Sequence, residues 1–196
     1  LTVGSGIRCV SGEHFKGVYS SNEYLTRVNL MGAYKPDSTT PIARGDNVVV
    51  FGGGNTAMDS VRTAKRLGAK RAIIAYRRSR AEMPARIEEI HHAEQEGIEF
   101  MLLMSPLEIL GGDDGWVKSI RMQKMELGEP DASGRRRPVP IEGSEFELDA
   151  DVAVVAIGTQ ANPILTAACP ELKLNKRGNI EPDDSHMTSI SGGFAG

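Results

Sequence analysis

Cysteine is almost missing from this chain: Cys9 and Cys169 are its only two in 196 residues. They lie far apart and form no Cys-x-x-Cys, so neither a local redox pair nor a zinc site is signalled. No apolar run approaches the roughly 20 residues that a membrane span requires, and no signal-peptide pattern opens the chain, so a cytoplasmic protein without a membrane partner is expected. Neither sign of charge dominates. With 23 Lys and Arg against 26 Asp and Glu, the net charge is −3, which argues against a nucleic-acid surface. Arg135-Arg136-Arg137 is a compact basic cluster and reads as a solvated loop. Internal repeats and low-complexity tracts are absent too. What remains is an ordinary globular composition, 40% hydrophobic and 25% charged, long enough for one full domain and something smaller.

The most informative stretch is Val48-Val49-Val50-Phe51-Gly52-Gly53-Gly54-Asn55-Thr56-Ala57-Met58-Asp59. A short apolar run, a glycine turn and a helical pattern follow one another, as in a buried parallel strand feeding a helix. Gly52, Gly54 and Ala57 fall on the G-x-G-x-x-(G/A) spacing of dinucleotide-binding turns. The first glycine permits the sharp turn, the second makes room for a pyrophosphate, and the small third residue lets helix and strand pack closely. Helix-start N–H groups then face the phosphates, aided by the helix dipole. Ala57, Val61, Ala64 and Gly68 recur at helical spacing, and Gly68 is placed to end the helix. Ala72-Ile73-Ile74-Ala75-Tyr76 reads as the second buried strand, completing a β-α-β unit.

Directly after that strand stand Arg77 and Arg78. In NAD sites a carboxylate near this point accepts the ribose hydroxyls. A carboxylate would repel a 2′-phosphate, whereas two guanidiniums attract it and bond it in a fork. Each charge-assisted hydrogen bond is worth roughly 1.5–3 kcal/mol, so one good contact favours NADP over NAD about tenfold or more. NADP(H) is the expected cofactor.

Elsewhere, Leu1 to Gly6 reads as the end of a buried strand, and Cys9 to Gly17 as a polar linker. Tyr24, Leu25, Val28 and Met31 form an amphipathic pattern capped by Ser20 or Ser21, and a proline-bearing loop leads into Val48. Pro84 suits the first turn of a helix running to about Glu96 and ended by Gly97. Strands are expected at 98–104, 107–110, 116–127, 146–148 and 152–157, with Gly128 to Gly143 a loop. The order suggests an α/β fold: a Rossmann-like parallel sheet with a three-stranded antiparallel insert. The chain opens at Leu1 in mid-strand and closes where an apolar run has just begun, so a fragment is expected.

VVVFGGGNTAMDSVRTAKRLGA, YRRSRAEMPARIEEIHHAEQEGIEF, KMELGEPDASGRRRPVPIEGSEF and VAVVAIGTQANP together resemble the small (β) subunit of NADPH-dependent glutamate synthase and related FAD/NADPH oxidoreductases of the pyridine nucleotide-disulfide type. The likeness runs from about Gly17 to Gly196. It implies an NADPH domain inserted between two halves of an FAD domain. Residues 1–17 would be the exit strand and linker, 18–157 the NADPH-binding domain, and 158–196 the return segment. It further implies hydride transfer between NADPH and FAD, with electrons passed on through iron–sulfur clusters in regions absent here. Carried over, Gly52, Gly53, Gly54, Asn55 and Thr56 would hold the pyrophosphate and Arg77 and Arg78 the 2′-phosphate. Ile157 and Gly158 would approach the nicotinamide. A large glutamate synthase-type or ferredoxin-linked subunit is the implied partner. The flavin's own N-terminal glycine fingerprint is missing, so this stretch alone would not hold FAD tightly or complete electron transfer.

Other chemistries fit less well. His91 and His92 are adjacent on a helix, about 100° apart, and read as surface residues without a metal. Glu88, Glu89, Glu94 and Glu96 read as a solvated face. A short-chain dehydrogenase needs Tyr-x-x-x-Lys, but Tyr19, Tyr24, Tyr34 and Tyr76 are followed at +4 by Glu23, Val28, Ser38 and Arg80. A thioredoxin-reductase type lacks its Cys-x-x-Cys. The non-enzymatic alternative is a regulatory module that binds NADP without turnover.

Overall fold

A computed structural model describes residues 10–130, 134, 136–158, 163–175 and 178–195. Contacts divide the chain into two compact units, Cys9–Ile157 and Leu1–Arg8 with Gly158–Gly196. The expected exit strand at Leu1 to Gly6 lies outside the described residues, as does most of the Gly158–Pro163 return.

The larger unit is built on a five-stranded parallel sheet: β1 (Val18–Ser20), β2 (Asn47–Phe51), β3 (Arg71–Tyr76), β4 (Glu99–Leu102) and β9 (Val152–Val155), in the order β1-β9-β2-β3-β4. β2 lies at its centre, with Val48 to Phe51 paired to Val152 to Val155 on one side and Ala72 to Ala75 on the other. Helix α1 (Ser21–Leu25) runs into a π-helical turn at Thr26–Leu30; α2 (Asn55–Arg66) joins β2 to β3, and α3 (Ile87–Gln95) joins β3 to β4.

Alternation along the central strands sorts their side chains between two cores. Val48, Val50, Ala72, Ile74, Val152 and Val154 meet Ala57, Met58, Val61 and Ala64 of α2 and Ile90 and Ala93 of α3. Val49, Phe51, Ile73, Ala75 and Ala153 pack with Ile109, Ile120, Met122 and Leu148 of an antiparallel sheet. Both faces are covered, which is why β2 and β3 read as unbroken apolar runs. Each Val, Ile or Phe so buried contributes about 1.5–3 kcal/mol.

The antiparallel sheet holds β5 (Met104–Gly111), β6 (Val117–Pro130), β7 (Arg136–Pro140) and β8 (Phe146–Asp149). It has four strands where three were expected. The additional strand, β7, lies inside the Gly128–Gly143 stretch that reads as a loop. Pro138 and Pro140 obscure it, yet β7 pairs only the far half of β6, from Met125 to Pro130, and prolines are tolerated at such an edge. Leu103, between β4 and β5, takes a left-handed φ of 56° and turns the chain from one sheet to the other.

Two further expectations are corrected. Residues 10–17 are no linker but part of the larger unit. Val10 joins the core against the antiparallel sheet, the Ile109 amide donates to the Ser11 carbonyl at 2.7 Å, and the Val117 amide donates to that of Lys16 at 3.0 Å. Nor does α3 begin at Pro84. Met83, preceding a proline, is extended (ψ 126°), as steric clash with the ring favours, and Arg80–Glu82 forms a separate 3-10 turn. The helix starts three residues later, at Ile87.

The described part of the smaller unit carries the short helix α4 (Pro163–Ala168) and two isolated bridges, Leu174 to Ile180 and Met187 to Phe194. No helix of the described residues is long and apolar enough to cross a membrane.

Candidate functional site

β2 delivers the chain into the glycine turn at the carboxyl edge of the parallel sheet, and the three glycines serve different ends. Gly52 has φ +145°, and a Cβ there would lie 2.4 Å from the Ala156 carbonyl oxygen, just beyond β9. Gly53 lies flat on Tyr76, whose ring atoms would be 2.8 Å from an added Cβ. Both are required by the protein's own packing. Gly54 is not. Its φ of −92° and ψ of 176° suit any residue, and a Cβ would meet nothing closer than the Pro84 ring at 3.9 Å. The space above Gly54 is therefore a cradle that a side chain would fill, and its absence leaves backbone open to an incoming group.

Gly54 is also the N-cap of α2, and being glycine it offers no capping side chain. The first amides to turn back into the helix, those of Ala57 and Met58, both donate to the Gly54 carbonyl at 3.0 and 3.1 Å. The Asn55 and Thr56 amides precede them and belong to the unsatisfied donors of a helix start. No carboxylate occupies the first turn of α2. Such an end, with its partial positive charge, suits an anion. The residues present thus fit a dinucleotide's pyrophosphate.

A strap crosses beside this turn that sequence reasoning did not anticipate, because it took the segment for helix. The Ala85 amide donates to the Gly53 carbonyl at 3.0 Å, and the Arg86 amide donates to Asn55 Oδ1 at 2.9 Å. The Asn55 side chain thus braces the strap, while its amide stays at the helix start.

Arg77 and Arg78 directly follow β3, as expected, but their environments differ. Arg77 is exposed. Arg78 is 7% exposed, and its Nε donates to the Arg136 carbonyl on β7 at 2.8 Å. Arg136, read from sequence as part of a solvated basic loop, sends its own Nε to Glu82 Oε1 at 3.0 Å. Glu82 in turn accepts from the Ser79 amide at 3.1 Å and from the Ser79 hydroxyl, and the buried Tyr76 hydroxyl donates to the Glu82 carbonyl at 2.7 Å. The Ser79 hydrogen bond, helped by Arg136, holds the Glu82 carboxyl below its ordinary range against the opposing push of burial. This network ties the turn after β3 to the antiparallel sheet.

Ile157 closes the larger unit, half exposed, one residue past the Ala156 carbonyl that flanks Gly52. Gly158, with φ +109° and open space about it, is counted with the smaller unit. His91 and His92 are both exposed on α3. Glu89 and Glu96, expected as a solvated face, are instead bonded to Arg62 of α2, at 2.7 and 2.9 Å.

Residues 4–196 match the family model for pyridine nucleotide-disulphide oxidoreductases. The chain is 45% identical over 185 residues to the NADP(+)-dependent formate dehydrogenase subunit beta of Moorella thermoacetica, covering 94% of this chain and 25% of that one. It is 39% identical over 192 residues to the glutamate synthase (NADPH) small chain of Azospirillum brasilense, covering 94% and 39%. It spans well under half the length of these relatives. Among solved structures, FprA of Mycobacterium tuberculosis in complex with NADPH is similar in fold, with a TM-score of 0.69 and 18% identity over 96% of this chain and 54% of that one. The chain belongs to the pyridine nucleotide-disulphide oxidoreductase family.

Proposed function

We propose that this chain is the NADPH-binding part of a flavin-dependent oxidoreductase of the glutamate synthase small-subunit type, transferring hydride between NADPH and FAD. The observation that carries the reading is the uncapped start of α2, with its open cradle at Gly54 and an exposed arginine after β3. When bound, NADPH supplies a hydride that FAD accepts. The protein's part is binding and orientation. The amides at Asn55 and Thr56 would receive the pyrophosphate, with Gly52 and Gly53 setting the turn that presents them. Arg77, exposed, would be the direct contact to the 2′-phosphate. Arg78, held against β7, would back it and fix the turn. Ile157 and Gly158 would lie toward the nicotinamide.

Residues 18–157 would form the NADPH domain, now extended to include 10–17, and 158–196 would lead back into an FAD domain. A larger partner subunit, as the names "small chain" and "subunit beta" of the relatives suggest, would complete the enzyme in the cytoplasm, and any iron–sulfur clusters would belong to regions beyond this chain. Steady-state NADPH oxidation with a dye acceptor, measured on the full-length protein, tests the reading. Turnover with bound flavin is expected. NADP binding with neither flavin nor turnover would favour the regulatory module instead.

A further inference from the structure

Arginines elsewhere in the described chain are engaged: Arg62 and Arg66 on Glu96, Arg71 on Glu99, Arg80 on Glu94, Arg121 on Glu108, Arg136 on Glu82. Among the described residues, the guanidiniums of Arg77, Arg86 and Arg137 are left without a protein partner. Arg137 stands on β7. The other two flank the glycine turn.

Arg86 is exposed, yet its backbone is fixed. Its amide donates to Asn55 Oδ1, at the first residue of α2, and the preceding amide, Ala85, donates to the Gly53 carbonyl. Pro84, at the head of the same strap, supplies the atom nearest to the open space at Gly54. The strap is therefore one wall of the cradle, and residue 86 is held beside it whichever rotamer its side chain takes. Arg86 is also the N-cap of α3 and makes no side-chain capping bond. A cation stands here where the starts of α2 and α3 come together, each carrying partial positive charge. The carboxylates of the first turn of α3, though they offset the dipole of that helix, are not paired with the Arg86 side chain. Glu89 is taken by Arg62, and Glu88 makes no bond to Arg86. An exposed guanidinium with no protein partner at this place is available to an anion arriving at the start of α2.

We propose that Arg86 is a further coenzyme-binding residue, closing on the pyrophosphate at the start of α2. The proposal rests on the NADPH reading above and assigns the two free arginines different phosphates. Arg77, after β3, recognises the group that only NADPH carries. Arg86, tethered to Asn55, recognises the group that NADPH and NADH share. Removing Arg86 should weaken both coenzymes alike.

Calorimetric titration of the full chain with NADPH and with NADH, for the unaltered protein, Arg86→Ala and Arg86→Lys, tests this. Arg86→Ala is expected to weaken both about tenfold, the worth of one charge-assisted contact. The NADPH-to-NADH ratio and the ligand-free melting temperature should stay unchanged, and Arg86→Lys should recover part of the loss. Unchanged binding of both coenzymes in Arg86→Ala would overturn the proposal. So would a loss confined to NADPH, which would place Arg86 on the 2′-phosphate. Failure of the unaltered protein to bind either coenzyme would overturn the NADPH reading itself, and this proposal with it.

Discussion

Helices α2 and α3 lie side by side in the same layer and end alike, but they begin differently. At the end of α2, the Ala69 amide returns to the Ala64 carbonyl and that of Gly68 to Lys65. At the end of α3, Ile98 returns to Ala93 and Gly97 to Glu94. Both are Schellman closures. At the start of α3, Glu88 and Glu89 occupy the first turn and answer the positive end of the dipole from within the protein. Neither helix has a side-chain cap, but α2 also has no carboxylate in its first turn. Two helices with the same packing task would share the same devices at both ends. The one device withheld from α2 is the one a bound phosphate would supply.

The largest effects should come from the glycine turn, where packing and binding separate. Gly52→Ala must adopt a left-handed φ and meet the Ala156 carbonyl, so it should destabilise folding by about 3 kcal/mol, read as a shifted urea midpoint. Gly54→Asp meets no obstacle. It gives α2 the carboxylate that α3 already has, so stability should hold or rise by a few tenths of a kcal/mol, while NADPH affinity falls roughly hundredfold. A Gly54→Asp protein that still binds tightly would erase the distinction between the two helices.

A smaller effect tests the contact between the helices. Arg62 is 17% exposed and bonds both Glu89 and Glu96. Arg62→Ala should lower stability by about 1–2 kcal/mol with unchanged coenzyme affinity, the reverse of Gly54→Asp.

The smallest concerns the turn that β7 braces. The Glu82 carboxyl titrates below the ordinary value of 4.5 in the folded protein. The unfolded state therefore binds the proton more readily as pH falls. Its contribution to stability is full above about pH 5.5 and is lost as pH drops through 4.5 toward the folded value. Acid unfolding of Glu82→Gln should lack that part of the pH dependence. An identical acid limb would show that the Ser79–Glu82–Arg136 link does not stabilise the fold.

The β-α-β unit was legible because its signals are local. Val48 to Phe51, the glycine spacing, and the stops at Gly68 and Gly97 each specify their own backbone. What escaped depends on partners distant in sequence. β7 is a strand because β6 extends past β5 to receive it, and its prolines conceal this. Cys9 to Gly17 looked like a polar linker because, within it, only Val10 and Phe15 bring apolar side chains to the core beneath the antiparallel sheet, Ser11 and Lys16 being joined to it through backbone. Arg78 read as the equal of Arg77 on a 2′-phosphate, and Arg136 as part of a solvated loop, until the fold buried the first and tied the second to Glu82. Arg86 carried no signal at all; its place beside Asn55 comes from where Met83 and Pro84 halt the chain before α3.

The most direct test of the account is calorimetric titration of the unaltered protein and Arg77→Ala with NADPH and NADH. The account predicts that the unaltered protein prefers NADPH by about tenfold or more, and that Arg77→Ala removes most of that preference while leaving NADH binding intact. Equal affinity for the two coenzymes in the unaltered protein, or an undiminished preference in Arg77→Ala, would contradict it.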